Sequence, residues 1–120
     1  MMTPDELSER LLDFAVRIAK VADALPDTRR GRHVSDQLMR AGTSPGSNYE
    51  EGCAAESRRD FEHKLSIALK ELREVRFWLR FIIKAGLLPG ERMEDLLDEC
   101  TQLCKILGKS VATSKSKPRK

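Results

Sequence analysis

The residues of this 120-residue chain that could bind a metal ion are three cysteines and two histidines. Cys100 and Cys104 lie four residues apart, and Cys53, His33 or His63 could complete a set of ligands. Structural zinc sites use closely paired cysteines with clustered histidines or further cysteine pairs, and the chain lacks these patterns. Both cysteines of the pair occupy positions where a helix needs small apolar residues. We therefore predict free thiols packed in the core, with no metal and no other cofactor.

Two adjacent carboxylates, Glu50 and Glu51, lie beside an asparagine and a proline in the middle of the chain. Neighbouring residues on a helix point to different sides, so this pair is not expected to act as an acid and a base. Pro45 has no amide hydrogen and disturbs a helix. We interpret Asn48 or Glu51 as bonding the backbone groups that the proline frees. The predicted structural kink comprises Pro45, Asn48, Glu51 and Gly52, and neither a catalytic residue nor enzymatic activity is expected.

The basic residues form the one pattern in the sequence that indicates a function, which is binding to an anionic partner. Four of them recur at three- and four-residue steps along one segment: Arg73, Arg76, Arg80 and Lys84. This spacing places them on one side of a helix. The chain has 22 basic and 19 acidic residues, a net charge of +3, which permits nucleic-acid binding without requiring it. The alternative is an ordinary solvated surface. The residues predicted to bind nucleic acid are Arg29, Arg30, Arg32, Arg58, Arg59, Arg73, Arg76, Arg80 and Lys84.

Helices must position these residues, because the composition favours helix formers over strand formers. The clearest apolar repeat runs from Ser57 to Ala85 without an internal glycine or proline. Its members are spaced by four and three residues: Phe61, Leu65, Ala68, Leu72, Val75, Leu79 and Ile82. Such a repeat predicts one long helix that packs against its neighbours at a shallow angle.

Two helices are predicted before this long one. The first begins at a capping box formed by Thr3 and Glu6 and ends near Leu25. A polar, basic loop over residues 27–32 follows it. The second helix then kinks or breaks at Pro45, because proline removes a backbone hydrogen bond and its ring clashes with the preceding turn.

A fourth helix is predicted after a corner at residues 86–90, where Gly86 can adopt the left-handed conformation of a helix cap. Its apolar seam comprises Met93, Leu97, Cys100, Cys104 and Leu107, and it ends around Gly108. Residues 109–120 have too little apolar surface to offset the cost of ordering. The predicted organisation is a bundle domain at residues 1–108 and a basic, flexible tail at residues 109–120.

Together these segments predict an all-α fold, an antiparallel up-and-down four-helix bundle with a kinked second helix. Core positions are predicted at Leu11, Phe14, Ile18, Leu38, Leu65, Leu72, Leu79 and Cys100. No apolar run has the length of a membrane span, and the N-terminal segment does not resemble a signal peptide. We expect a cytoplasmic protein without a membrane partner.

Three aromatic residues of the long helix, Phe77, Trp78 and Phe81, lie outside its apolar seam. They point to a different sector from the seam, so one four-helix bundle is not expected to bury all of them. Exposed aromatic area marks a protein contact. We predict that these three residues form the interface of a homo-oligomer, with the alternative that the first or the fourth helix of the same chain covers them.

Two blocks of sequence carry a family resemblance. The first contains Gln37-Leu38-Met39-Arg40-Ala41, Ser44, Asn48 and Glu51-Gly52, and the second contains Phe61, residues 67–71, Glu74 and residues 78–80. In this pattern the chain resembles a bacterial family of four-helix-bundle proteins encoded within intervening sequences of 23S ribosomal RNA genes. Pro45 sits one place before the usual proline, and Tyr49-Glu50 stands where a small apolar pair is common.

The resemblance implies a ring-like homo-oligomer, a homopentamer, with no known enzymatic activity. It also implies a similarity to accessory proteins that bind nucleic acid and a reverse transcriptase in diversity-generating retroelements. One interpretation is therefore a non-enzymatic oligomeric protein that binds RNA or DNA, or that scaffolds a nucleic-acid enzyme. The other is a protein–protein adaptor that uses its apolar surface and has no role with nucleic acid.

Overall fold

The computed structural model describes residues 2–118 and contains four α-helices: α1 (Pro4–Ala24), α2 (Arg29–Cys53), α3 (Arg58–Ala85) and α4 (Gly90–Ser116). Helices that follow one another along the chain pack side by side, and α1 also contacts α4. Helices α1 and α2 run antiparallel, because Ser8 bonds to Glu50 near one end while Ser35 donates to the Ala22 carbonyl near the other. The predicted all-α class with four helices is confirmed.

The apolar seams meet in one elongated core. Leu72, in the middle of the predicted seam of α3, is completely buried. Burying each such leucine contributes about 2 kcal/mol. The other predicted core residues are also buried: Leu11, Phe14, Ile18, Leu38, Leu65, Leu79 and Cys100.

Local capping sets most helix ends where the sequence predicts them. Thr3 and Glu6 form both bonds of a capping box at the start of α1. The Ser57 hydroxyl caps α3 by accepting a hydrogen bond from the Asp60 amide in its first turn. Gly86 ends α3 with a φ of 66°, a left-handed conformation that glycine adopts without a steric penalty.

The basic segment after α1 is helical, so the prediction of a loop over residues 27–32 is wrong. Thr28 caps α2, its hydroxyl oxygen accepting the Gly31 amide at 3.1 Å. The first turn of α2 packs against the connection that follows α1, where a Cβ on Gly31 would lie 1.9 Å from the Pro26 carbonyl oxygen. Arg29, Arg30 and Arg32 therefore lie on the first turn of a helix.

Helix α2 continues through Pro45 without a break. The predicted break is wrong, and a bend at this position stays a prediction. Pro45 is buried on the core side of α2, where packing favours the helix over the lost hydrogen bond. Because Pro45 has no amide hydrogen, the carbonyl four residues before it, that of Ala41, loses its helical hydrogen bond. The Asn48 side chain donates instead to the Ser44 carbonyl, at 3.0 Å. The predicted bond to a freed group is therefore wrong.

The glycines around Pro45 allow a close approach between helices. A Cβ on Gly42 would lie 2.3 Å from Cγ2 of Ile18 on α1, and one on Gly52 would lie 2.9 Å from Cδ1 of Leu65 on α3. Glycine costs about 1 kcal/mol relative to alanine within a helix. The weak helix formers of α2 thus serve packing between helices.

Helix α4 extends to Ser116, so the predicted end near Gly108 and the predicted mobile tail are wrong for residues 109–116. Val111 and Ser114 are buried and continue the seam. The Ser114 hydroxyl donates to Oε2 of Glu62 at 2.6 Å. A long α3 needs an equally long neighbour, which residue composition alone does not indicate. Residues 119 and 120 of the predicted tail lie outside the described residues.

The seam of α4 also differs from the predicted one. Met93, Cys100 and Leu107 are buried as expected, but Leu97 and Cys104 are only half-buried. The intervening buried positions are Leu96 and Leu103. Both sets of residues satisfy helical spacing. Which set is buried depends on the side that α4 turns toward its neighbouring helices.

Candidate nucleic-acid interface

A groove with a cationic and aromatic lining lies on the outer side of α3, near the end of that helix. It measures about 450 Å³ and combines residues from α2 and α3. Antiparallel packing places the first turn of α2 beside the last turns of α3, which brings Arg30 to the long helix. We call this feature the basic-aromatic groove, lined by Arg30, Phe77, Arg80, Phe81, Lys84 and Ala85.

The aromatic residues of this region differ in exposure. Phe77 is 54% exposed, whereas Trp78 and Phe81 are partly buried against the core. The Trp78 ring lies 5.7 Å from that of His33 on α2 and donates through Nε1 to Glu74 at 3.2 Å. Part of the predicted interface therefore packs within the chain. The helix that contacts Trp78 is α2, not the first or fourth helix of the predicted alternative. Phe77 keeps the most open surface of the three predicted residues.

The three cations of the groove have no acidic partner in the part of the chain that is described. None of the ion pairs among residues 2–118 involves Arg30, Arg80 or Lys84. Unpaired cations that converge on one surface create a positive potential and attract anions. The groove therefore has the charge that a phosphate backbone requires.

Arg40 shows what a paired arginine looks like in this fold. Its guanidinium bonds to Glu71 at 2.9 Å and also to Glu74, joining α2 to α3. Burial acts to raise the pKa of Glu74, but hydrogen bonds from Arg40 and Trp78 outweigh burial and hold that pKa below its usual value. Arg40 thus stabilises the bundle, and the two sequence blocks that carry the family resemblance meet in this cluster.

The nine residues predicted to bind nucleic acid do not form one surface. Arg58 donates to carbonyls at the end of α4, including that of Lys117 at 3.1 Å, which stabilises the negative end of a helix dipole. Arg59, exposed beside it, lies more than 20 residues before Arg80, which corresponds to roughly 30 Å along a helix. Within the first turn of α2, Arg32 pairs with Asp27 at 2.8 Å.

The remaining predicted cations lie along α3 and beside α2. Arg73 and Arg76 are exposed on the side of α3 that faces α4, and Arg76 donates to the Thr101 hydroxyl at 3.3 Å. Arg29 is exposed beside Arg30. Only Arg30, Arg80 and Lys84 share the groove with Phe77. Spacing along α3 predicts that Arg80 and Lys84 lie on one side of this helix. The contribution of Arg30 depends on the antiparallel packing of α2 and could not be predicted from the sequence.

The residues of the predicted kink have structural roles. The Asn48 amide also donates to the Ser44 hydroxyl at 2.8 Å, and Glu51 accepts from Nζ of Lys64 at 3.1 Å. Glu50 bonds to Ser8 instead of forming a pair with Glu51. These contacts link α2 to itself and to α1 and α3.

The cysteine pair differs from the predicted pair of core thiols. Cys100 is buried and donates to the Leu72 carbonyl at 3.2 Å, whereas Cys104 is half-buried. When Cys104 ionises, the single Cys100 proton can be donated to its sulfur instead of to the Leu72 carbonyl. This hydrogen bond lowers the pKa of Cys104 to about 7 against the effect of burial, with help from the charges of Arg73 and Arg76. The hydrogen bond to Cys104 and burial both raise the pKa of Cys100. Residues 2–118 contain no cluster of three or more potential metal ligands.

The lower pKa of Cys104 predicts that alkylating reagents modify this thiol before that of Cys100. Because the thiolate is the nucleophile, alkylation of Cys104 by iodoacetamide should accelerate through a midpoint near pH 7, while Cys100 stays unmodified in the folded protein. Mass spectrometry of peptides after timed alkylation measures both rates. Replacing Arg73 and Arg76 with glutamine should raise the midpoint for Cys104. An unchanged midpoint in that variant would contradict the proposed influence of the arginines.

Within residues 2–118, no helix is long and apolar enough to cross a membrane.

Comparisons with known proteins identify the family. The sequence profile described as "23S rRNA-intervening sequence protein" matches residues 6–109. No curated protein matches the chain. A solved structure from Bacteroides thetaiotaomicron, a protein of unknown function from the S23 ribosomal protein family, is 34% identical, with a TM-score of 0.85 over 92% of this chain and 99% of that one. The chain therefore belongs to the 23S rRNA-intervening sequence protein family.

Proposed function

We propose that this protein is a non-enzymatic binding protein that contacts RNA or DNA through the basic-aromatic groove. The observation that carries the proposal is the convergence of Arg30, Arg80 and Lys84, none of them paired with a carboxylate among residues 2–118, around the exposed ring of Phe77. Nucleic-acid sites combine a positive surface with aromatic rings.

The salt dependence of binding tests this proposal. Phosphate contacts release counterions, so affinity for generic RNA or DNA should fall steeply as salt increases. Binding can be measured by fluorescence anisotropy over a range of salt concentrations. Under the alternative of an adaptor without a nucleic-acid role, no such binding should occur at low salt.

Replacing Arg29, Arg30 and Arg32 with alanine should weaken this binding without unfolding the bundle. Each lost phosphate contact should reduce the logarithmic salt slope by about one unit. Arg32 is paired with Asp27, so we expect most of the effect from Arg30. Circular dichroism checks the fold of the variant. Wild-type affinity at matched salt would show that these arginines are only solvated.

A second candidate function, which uses the same aromatic surface, is self-association into a ring-like homo-oligomer, a homopentamer. The supporting observation is that Phe77 is 54% exposed and Phe81 lies one turn away, partly open. Exposed apolar surface favours contact with another protein. Copies of the chain that meet through Phe77, Trp78 and Phe81 could serve as a scaffold for a nucleic-acid enzyme such as a reverse transcriptase. Repeated weak contacts would then add by avidity.

Replacing Phe77 and Phe81 with serine should leave a helical protein of smaller mass if the aromatic residues form the interface. Sedimentation equilibrium of the wild type and the variant measures the change. A matched control replaces Leu12, which is 55% exposed on α1, with serine. A monomeric wild type, or an oligomer of unchanged mass in the double variant, would contradict this interface.

A further inference from the structure

We propose that the basic-aromatic groove selects single-stranded nucleic acid, with an unpaired base stacked on the ring of Phe77 and the adjoining phosphates held by Arg30, Arg80 and Lys84. This inference rests on the proposed function and specifies its ligand. A base in a duplex already stacks on both neighbours, so its face is not available to a protein ring. A single strand exposes that face.

The ring of Phe77 is held in place before any ligand binds. Its centroid lies 5.0 Å from that of Trp78, with the two planes at 78°, an edge-to-face contact. Trp78 is fixed in turn by its bond to Glu74 and its contact with His33. An ordered ring loses little conformational freedom on binding, which favours affinity. About half of the surface of Phe77 nevertheless remains open to solvent.

The cations that line the groove with this ring come from two helices. Arg80 and Lys84 follow Phe77 by three and seven residues, so helical periodicity places them on the same side of α3. Arg30 approaches from α2 and completes the groove. At about 450 Å³, the groove is within the size range of small-molecule sites. A strand could therefore place one base in the groove while its backbone contacts cations from two helices.

A second groove of the same protein provides an internal comparison. It measures about 200 Å³ and lies between α1 and α4, with Arg17, Lys20 and Arg92 beside apolar side chains but without an aromatic ring. Its three cations match those of the basic-aromatic groove in number, and none of them forms an ion pair within residues 2–118. Charge alone would make the two grooves equivalent for a polyanion. Base stacking is possible only at the first.

The test compares four probes with the intact protein: single-stranded DNA of about 12 nucleotides, the DNA duplex of the same sequence, RNA of the same sequence, and inorganic polyphosphate with the same number of phosphates. We expect a single strand to bind roughly tenfold more tightly than the duplex or polyphosphate at matched salt. The Phe77→Leu variant should lose this preference while its affinity for polyphosphate stays unchanged, and Phe77→Tyr should retain it. Leucine keeps the apolar character and the helix propensity of the position, so both variants should fold.

Each other outcome has a distinct meaning. Equal binding of strands and polyphosphate, unaffected by Phe77→Leu, would overturn base stacking and leave the proposed polyanion binding in place. The absence of binding to every probe would overturn the proposed function as well. A lower oligomeric mass of Phe77→Leu in sedimentation would assign the ring to contact between copies of the chain and overturn the stacking role. A preference of DNA over RNA, or the reverse, that Phe77→Leu removes would support the inference and identify the ligand.

Discussion

Replacing Gly42 with valine should destabilise the bundle by about 3 kcal/mol, lowering its melting temperature by roughly 10 °C. A Cβ at this position would lie 2.3 Å from Cγ2 and 2.9 Å from Cβ of Ile18. Ile18 is β-branched and completely buried, so its side chain has little freedom to move. Helix α1 would have to shift away from α2, and the apolar contacts between them would be lost.

Gly108 provides the matched control for this prediction. It also lies within a helix, α4, but a Cβ there would have only Cδ2 of Leu69 near it, at 4.0 Å. Replacing Gly108 with alanine should therefore stabilise the protein by about 0.5 to 1 kcal/mol through helix propensity. Thermal or urea denaturation of both variants measures the difference. Equal stability of the Gly42→Val variant and the wild type would contradict the close approach of α1 and α2.

Removing the three cations of the basic-aromatic groove should have the largest effect on binding. In a variant with glutamine at Arg30, Arg80 and Lys84, we expect the logarithmic salt slope for a single strand to fall by about two units. Each cation accounts for about 0.7 of a unit on a single strand, because fewer counterions are released per contact than on a duplex. The fold should be unchanged, since these side chains form no ion pair within residues 2–118.

The control for this variant carries the same change in net charge at another place. Glutamine at Arg17, Lys20 and Arg92 removes the three cations of the second groove. Both variants should have the same weakened long-range attraction, and only the first should lose direct phosphate contacts. Titration of both variants against the same strand over several salt concentrations compares them. An equal loss in both would show that net charge, and not the groove, determines binding.

The sequence by itself determined the class of the fold and most of its core. Seams of apolar residues spaced by three and four predict which side of each helix is buried, because the helical period sets that side before any packing occurs. Leu11, Leu38 and Leu72 therefore lie in the core as predicted. Helix ends were predictable where a local signal exists, as at Thr3 and Gly86, since capping involves residues close in sequence.

The features that the sequence did not determine depend on contacts between distant residues. Gly42 and Pro45 are weak helix formers locally, yet α2 continues through them, because packing against α1 outweighs propensity. The last turns of α4 have little apolar content, yet they are helical, because Val111 and Ser114 are buried and Ser114 bonds to Glu62 near the start of α3. In a helix, glycine costs about 1 kcal/mol and proline about 3 kcal/mol relative to alanine. Burial of several apolar side chains, at about 2 kcal/mol each, exceeds both costs.

Some residues of the candidate site were predictable from helical spacing, and others lie there only because of tertiary packing. Helical spacing along α3 placed Arg80, Lys84 and Phe77 near one another, because these residues share one helix. Only the antiparallel packing of α2 on α3 brought Arg30 to the same groove, and only the contacts of Trp78 with α2 left Phe77 as the open ring. A sequence pattern reports the side of a helix on which a residue lies. Which residues of two helices meet depends on how those helices pack, and that is a property of the tertiary structure.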